Sequence, residues 1–401
     1  MDTQPSHPWQ VMYPPLQRHD HGWLDVGDGH QVYWEACGNP AGAPALFLHG
    51  GPGAGCTESD RRWFDPAHYR IVLMDQRGAG RSRPHRELQA NSLQHLIGDI
   101  EALRLHLDIE RWLIFGGSWG ATLALAYAQG QPQRVSALVL RGVFLATAAE
   151  REWLYAPAGI ARLRPAQWQR LIAKLPLAQS THPDPDPNLI LNPDPKQNLN
   201  SDLIDAFFRQ LHCGQRTTEL ETARAWLQWE QDLMEPQASE PQIAEVLQIG
   251  TSIEDEDAVL ASAHIGLHYA RHAYFLEERQ LLAQAARLQD IPGVIVQGRD
   301  DRVTPPAAAI ALHHAWPGSL LHLVDGAGHA SSHPALAKQL IAATDFFRDA
   351  HRRPDPFSAR WIACTNASRT DAAAVTAPCA ASTPPCLPQG TVPRLPPAPR
   401  C

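Results

Sequence analysis

Cysteine is scarce and unevenly spread in this sequence. Seven occur in 401 residues: Cys37, Cys56 and Cys213 are scattered, and Cys364, Cys379, Cys386 and Cys401 crowd the last segment. An odd number so placed is no disulfide framework for a chain this long, and no cysteine is spaced with histidine as a metal ligand set. Positive charge is also in short supply. Lys and Arg number 34 against 42 Asp and Glu, a formal charge of −8, which argues against nucleic acid as a partner because phosphate binding needs concentrated Lys and Arg. Long apolar runs are missing, and no stretch approaches the roughly 20 residues of a membrane span. Met1 to Leu16 is polar and proline-bearing, without the charged-then-apolar pattern of a secretory signal. A cytoplasmic location is expected. Apolar residues at 44% with 19% charged describe a globular protein able to bury a large core.

What is present centres on Phe115-Gly116-Gly117-Ser118-Trp119-Gly120. An apolar run, Trp112 to Phe115, breaks at two glycines, offers one serine and continues into the helix-favouring stretch Ala121 to Gln129. This is the nucleophile-elbow pattern G-x-S-x-G. The serine sits in a strained turn, so small residues at Gly116 and Gly120 are needed where strand and helix backbones nearly touch. The bland alternative is a glycine-rich turn with an incidental serine, and the rest of the chain decides between them.

Gly22 to Val26 and His30 to Ala36 read as strands around Gly27-Asp28-Gly29, a hairpin signal. Pro44 to Leu48 is a strand that stops at His49-Gly50-Gly51-Pro52-Gly53, and Tyr69 to Met74 one that ends at Asp75-Gln76-Arg77-Gly78-Ala79-Gly80-Arg81-Ser82. Ser92 is placed to cap a helix in which Leu93, Leu96, Ile97, Ile100, Leu103 and Leu107 recur at helical spacing. Val135 to Leu140, Gly293 to Val296 and Leu320 to Val324 are further strands, and Leu336 to Phe347 is a closing helix. Strands alternating with helices predict an α/β fold, a mostly parallel sheet flanked by helices, with the chemistry at the carboxyl ends of the strands.

From about Ala146 to Ala285 strand signals vanish, and Pro165 to Leu175, Ser201 to Leu211 and Thr217 to Met234 have helical character. Thr181 to Asn200, crowded with Pro, Asp and Asn, reads as a surface loop. The expected organisation is a core over residues 1–145 and 288–351, an inserted helical cap over 146–287, and a tail over 352–401. The tail is rich in Ala, Pro, Thr, Ser and Cys, a composition that predicts disorder. A chain ending near His351 is expected to keep full activity.

Ser118, Asp301 and His329 supply nucleophile, acid and base in the chain order this architecture uses. Serine is a poor nucleophile until a neutral imidazole takes its proton, and the imidazole needs a carboxylate to fix its tautomer. Asp300 adjoins Asp301 and His333 follows His329 by four residues; motif position favours Asp301 and His329. A tetrahedral intermediate needs two N–H donors, expected from the backbones of Trp119 and Gly51. The Asp75 to Ser82 stretch is expected to brace the site from the neighbouring strand end, without a chemical role.

Taken together, His49-Gly50-Gly51-Pro52-Gly53, Asp75 to Ser82, Gly116 to Gly120 and Gly326-Ala327-Gly328-His329 resemble the proline iminopeptidases of the α/β-hydrolase superfamily. The likeness is close from about Tyr13 to Phe144 and from Ile291 to Phe347, and weaker in the cap. It implies a cytoplasmic serine peptidase that needs no metal or cofactor and removes N-terminal proline from a peptide substrate with a free N-terminus. Trp226-Leu227-Gln228-Trp229-Glu230 is similar to the family's W-x-x-W-E, which gives Glu230 the amine-binding role, and Phe144 matches a residue of the proline-ring pocket.

Three positions depart from the pattern. Arg271 stands where a second acid precedes the aromatic pair Tyr274-Phe275, Leu154 where a pocket tyrosine is common, and Thr304 where a cysteine is common. An arginine beside an ammonium is repulsive unless it turns outward or pairs with Glu230. Two competing readings therefore stand beside the peptidase: the same catalysis on another small amide or ester, and a catalytically silent ligand-binding scaffold.

Overall fold

The computed structural model of the chain describes residues 11–175, 199–234 and 255–352. Its strands are β1 (Arg18–Asp25), β2 (Gln31–Gly38), β3 (Ala43–Leu48), β4 (Tyr69–Met74), β5 (Trp112–Gly117), β6 (Val135–Arg141), β7 (Gly293–Gly298) and β8 (Ser319–Val324). They form one sheet in the order β1-β2-β4-β3-β5-β6-β7-β8. β2 pairs antiparallel with both β1 and β4, and the remaining pairs are parallel. All six residues of β5 and of β7 are buried, as expected of central parallel strands covered on both faces.

The helices are α1 (Leu93–His106), α2 (Trp119–Gly130), α3 (Ala148–Tyr155), α4 (Pro165–Ile172), α5 (Leu199–Leu211), α6 (Arg216–Met234), α7 (Glu256–Arg271), α8 (Gln280–Ala283), α9 (Pro306–Ala315) and α10 (Pro334–Arg352). On one face of the sheet, Leu96 and Ile100 of α1, Leu123 of α2 and Leu312 of α9 pack against Leu46, Ile114 and Leu138. On the other, Leu336, Leu340 and Phe347 of α10 join Phe47, Trp63 and Phe115. Ser92 stands at the start of α1, but its hydroxyl bonds His95 Nδ1 (2.7 Å) rather than a backbone amide, so the capping expected of it is not made.

Between β6 and β7 no strand occurs among the described residues, and α3 to α8 fill the interval. Trp226 of α6 is the hub there. Its ring stacks on Tyr155 of α3 with centroids 5.3 Å apart and leans on Phe207 of α5 at 5.5 Å. α7 carries no helical periodicity in the sequence because every residue from Val259 to Ala270 is buried. It lies between the other inserted helices and the sheet domain, reaching the latter through Tyr269 Oη to Asn91 (2.9 Å) and Ser262 Oγ to the Gly53 carbonyl (2.8 Å). An element with no solvent face has no polar side to mark its turn. Of the loop expected over Thr181 to Asn200, Leu199 and Asn200 open α5 and the remainder lies outside the described residues, as does the tail from residue 353.

Candidate active site

Where β5 ends, Ser118 takes φ 57° and ψ −124°, a backbone state that costs a non-glycine residue about 1–3 kcal/mol. Neighbouring chain holds it there. The Ser118 amide donates to the Arg141 carbonyl (2.8 Å), and α2 departs at once, with Ala121 N bonding Ser118 O (2.9 Å). The glycines are required by close approach: a Cβ at Gly116 would overlap the Gly120 carbonyl oxygen, and one at Gly120 would overlap that of Leu48. The serine is thus presented at the carboxyl end of the sheet with a helix N-terminus behind it, which favours developing negative charge.

His329 is brought to the same corner. Its main-chain oxygen accepts from Arg141 Nη1 (2.9 Å), so Arg141 contacts both Ser118 and His329. A Cβ on Gly142 would lie 2.8 Å from His329 Cε1, so only glycine leaves room for the ring. His329 Nδ1 meets Asp301 Oδ2 at 2.8 Å, with both side chains buried, and Nε2 is the nitrogen left for proton transfer. Asp301 is densely bonded. Oδ1 accepts from the amides of Val303 (3.0 Å) and Thr304 (2.9 Å), and Oδ2 from Gln297 Nε2 (3.0 Å) and Thr304 Oγ1 (2.9 Å). Burial alone pushes its carboxyl up, but His329 and the Thr304 bonds outweigh burial and hold it below the ordinary carboxylate range. Asp300, the alternative acid, lies on the exposed side of the turn.

The glycine turn after β3 lies against the elbow. A Cβ on Gly50 would stand 3.1 Å from the Gly117 carbonyl and 3.5 Å from Ser118 Cβ, and Gly51 is exposed at the front with φ 108°. Trp119 is buried, and its ring lies 5.6 Å from that of Tyr274. Phe144 is buried with its ring edge-on to Tyr274 at 4.9 Å. The Tyr274 and Tyr155 hydroxyls are 3.0 Å apart, and burial, with the charge of Glu230 adding to it, raises both phenols. Glu230 accepts from Trp226 Nε1 (3.1 Å). Protein surrounds its carboxyl although part of its surface stays open, and burial pushes it up to about 7. The tyrosine pair therefore lies between Phe144 and Trp226, and it is Trp226 that holds Glu230.

Arg271 turns outward. It pairs with Asp205 of α5 (2.6 Å) and covers the Phe208 ring at 4.6 Å, with both charged side chains about two-fifths exposed. Leu154 and Thr304 are buried. Among the described residues no group of His, Cys, Asp or Glu is arranged to hold a metal ion, and no helix is long and apolar enough to cross a membrane. Sequence reasoning passed over Gly142, Gln297 and Arg141. Their only mark in the sequence is a place at the end of β6 or β7, where a parallel sheet gathers its chemistry.

A family model described as the alpha/beta hydrolase fold matches residues 44–335. Solved structures share the architecture: an α/β fold family hydrolase from Bacillus anthracis superposes with TM-score 0.53 at 17% identity, covering 81% of this chain and 99% of its own. A fold of this kind with a serine elbow defines the α/β hydrolases. Among curated proteins, the proline iminopeptidase of Xylella fastidiosa strain Temecula1 is 44% identical over 339 residues, 84% of this chain and 99% of that protein. That of Xanthomonas citri is 42% identical with the same coverage, and that of Arabidopsis thaliana 40% over 337 residues, 84% of this chain and 82% of that protein. This chain belongs to the proline iminopeptidase family.

Proposed function

We propose that the chain is a cytoplasmic serine aminopeptidase that releases N-terminal proline from peptides. Ser118 Oγ attacks the carbonyl of the first residue while His329 Nε2 takes its proton, and Asp301 holds the imidazole in the required tautomer and stabilises its charged form. The Gly51 and Trp119 amides receive the oxyanion. Collapse of the intermediate expels the amine, protonated by His329, and leaves a prolyl ester on Ser118. Water, deprotonated by the same imidazole, then releases proline and restores the serine.

The observation that carries this reading is the 2.8 Å His329–Asp301 contact seated beside the elbow through Arg141 and Gly142. The substrate assignment rests on Glu230. A carboxylate among Trp226, Tyr155 and Tyr274 suits a cationic chain end, and the phenyl ring of Phe144 suits an apolar pyrrolidine. Residues 1–145 and 288–351 form the catalytic core in this reading, and residues 146–287 the cap that closes the site around the first residue.

The outward turn of Arg271 onto Asp205 removes the repulsion an arginine would bring to a substrate ammonium. The competing reading, the same machinery acting on a different small amide or ester, rests on the missing second acid at position 271. Turnover of free proline arylamide, N-blocked proline arylamide and short acyl esters separates the two. The aminopeptidase hydrolyses the first and rejects the second; preference for the esters would establish the alternative. Ser118→Ala should lower turnover of the preferred substrate by about 10⁴-fold or more. Survival of most of the activity in that variant, or failure of a fluorophosphonate to label Ser118 in the wild type, would remove the serine mechanism.

A further inference from the structure

The two proposed oxyanion donors come from separate chain segments. Gly51 lies in the turn after β3, and Trp119 opens the helix after β5. A tetrahedral oxyanion is stabilised only if both amides stand at about 2.7–3.1 Å from one point before reaction begins. Something must fix the turn against the helix, and one side chain reaches both.

We propose that Gln76 is a positioning residue for the oxyanion hole, its side-chain amide tying the Gly51 turn to Trp119. Gln76 follows β4, which neighbours β3, and its side chain spans the end of β3 to reach α2. Its Nε2 donates to the His49 carbonyl (2.9 Å), and its Oε1 accepts from Trp119 Nε1 (2.8 Å). The orientation of the amide is unambiguous, because a carbonyl can only accept and an indole N–H can only donate. The backbone also takes part: Gln76 N donates to His49 Nε2 (3.0 Å). Because that amide can only donate, the neutral imidazole carries its proton on Nδ1, directed at the Gly50 carbonyl (2.9 Å) in preference to the longer approach of the Gly55 amide (3.3 Å). Gln76 is 3% exposed, so water has little access to replace a lost bond. The sequence marks this stretch only as a brace; the structure gives the brace a definite object.

The inference rests on the oxyanion assignment of Gly51 and Trp119. It predicts a loss that falls on the rate of chemistry rather than on binding, because the amide touches no part of the substrate. Gln76→Met keeps the volume and removes both side-chain bonds. Gln76→Glu keeps the acceptor for Trp119 but sets an oxygen against the His49 carbonyl and places negative charge behind the hole. Trp119→Phe removes one bond from the other side. With active sites counted by fluorophosphonate labelling, kcat for proline arylamide should fall about 10- to 100-fold in Gln76→Met, further in Gln76→Glu, and less in Trp119→Phe. KM should stay within about threefold.

The affinity of a prolyl boronate, whose serine adduct is tetrahedral and anionic, should fall by the same factor as kcat. A merely structural role would lower the melting temperature and the labelled fraction, and would leave kcat per labelled site and boronate affinity unchanged; that result overturns the proposal. If Gln76→Met does not fold, the other two variants carry the same comparison. Should the wild type not turn over proline arylamide, the substrate reading fails, and the test runs on p-nitrophenyl acetate, whose intermediate needs the same two donors.

Discussion

Replacing Glu230 by glutamine should make the protein more stable at alkaline pH and worse at its work. Burial raises this carboxyl from 4.5 to about 7, with the Trp226 indole opposing only in part. A group that holds its proton more tightly when folded than when unfolded destabilises the fold wherever the unfolded chain would already have released it. The penalty is absent below the unfolded value near 4.5, grows as pH rises between 4.5 and 7, and is complete above 7. A rise of about 2.5 units corresponds to about 3 kcal/mol, an upper limit because part of the side chain stays open to water.

In Glu230→Gln the new side chain keeps an oxygen for Trp226 and carries no charge. Urea unfolding of wild type and Glu230→Gln at pH 5 and pH 8 should show the variant ahead by up to about 3 kcal/mol at pH 8, and by no more than about 1 kcal/mol at pH 5. The same variant loses a charge-assisted bond to the substrate amine, of about 1.5–3 kcal/mol, so KM for proline arylamide should rise about 10- to 100-fold. An equal gain at both pH values would refute the linkage argument. An unchanged KM would refute the amine-binding role.

Asp301→Asn should lower kcat by about 10⁴-fold while the protein stays folded, checked by steady-state kinetics and circular dichroism, because the amide cannot hold the imidazole in its working tautomer. Gly142→Ala presses a methyl group against the His329 ring and should reduce kcat with little change in KM. Arg271→Ala removes an exposed pair, and the expected outcome is a stability change within about 1 kcal/mol by urea titration and an unaltered KM. Trp226→Ala empties the hub of the inserted helices and should cost about 3–5 kcal/mol in the same titration.

The elbow and the strand ends were legible in the sequence because local chain geometry imposes their residues. Overlap forbids a side chain at Gly116 or Gly120, and an apolar run that stops at a glycine turn marks the end of a parallel strand. Asp301 and His329 were legible for the same reason, each lying in the turn after a strand. α7 was hidden because burial on all sides erases the period that announces a helix. The direction of Arg271 depends on Asp205, a residue 66 positions away with no motif to announce it. Gln297 and Gln76 look like ordinary polar residues until the sheet sets them beside Asp301 and Trp119.

The bond from Ser262 on α7 to the Gly53 carbonyl fastens the roof of the site to the floor. A hinge that raised all the inserted helices as one body would pull on the glycine loop and spoil the geometry needed for turnover. Any movement that admits a peptide must therefore leave α7 seated on the glycine loop, and the freedom to open falls to the inserted helices that do not touch Gly53.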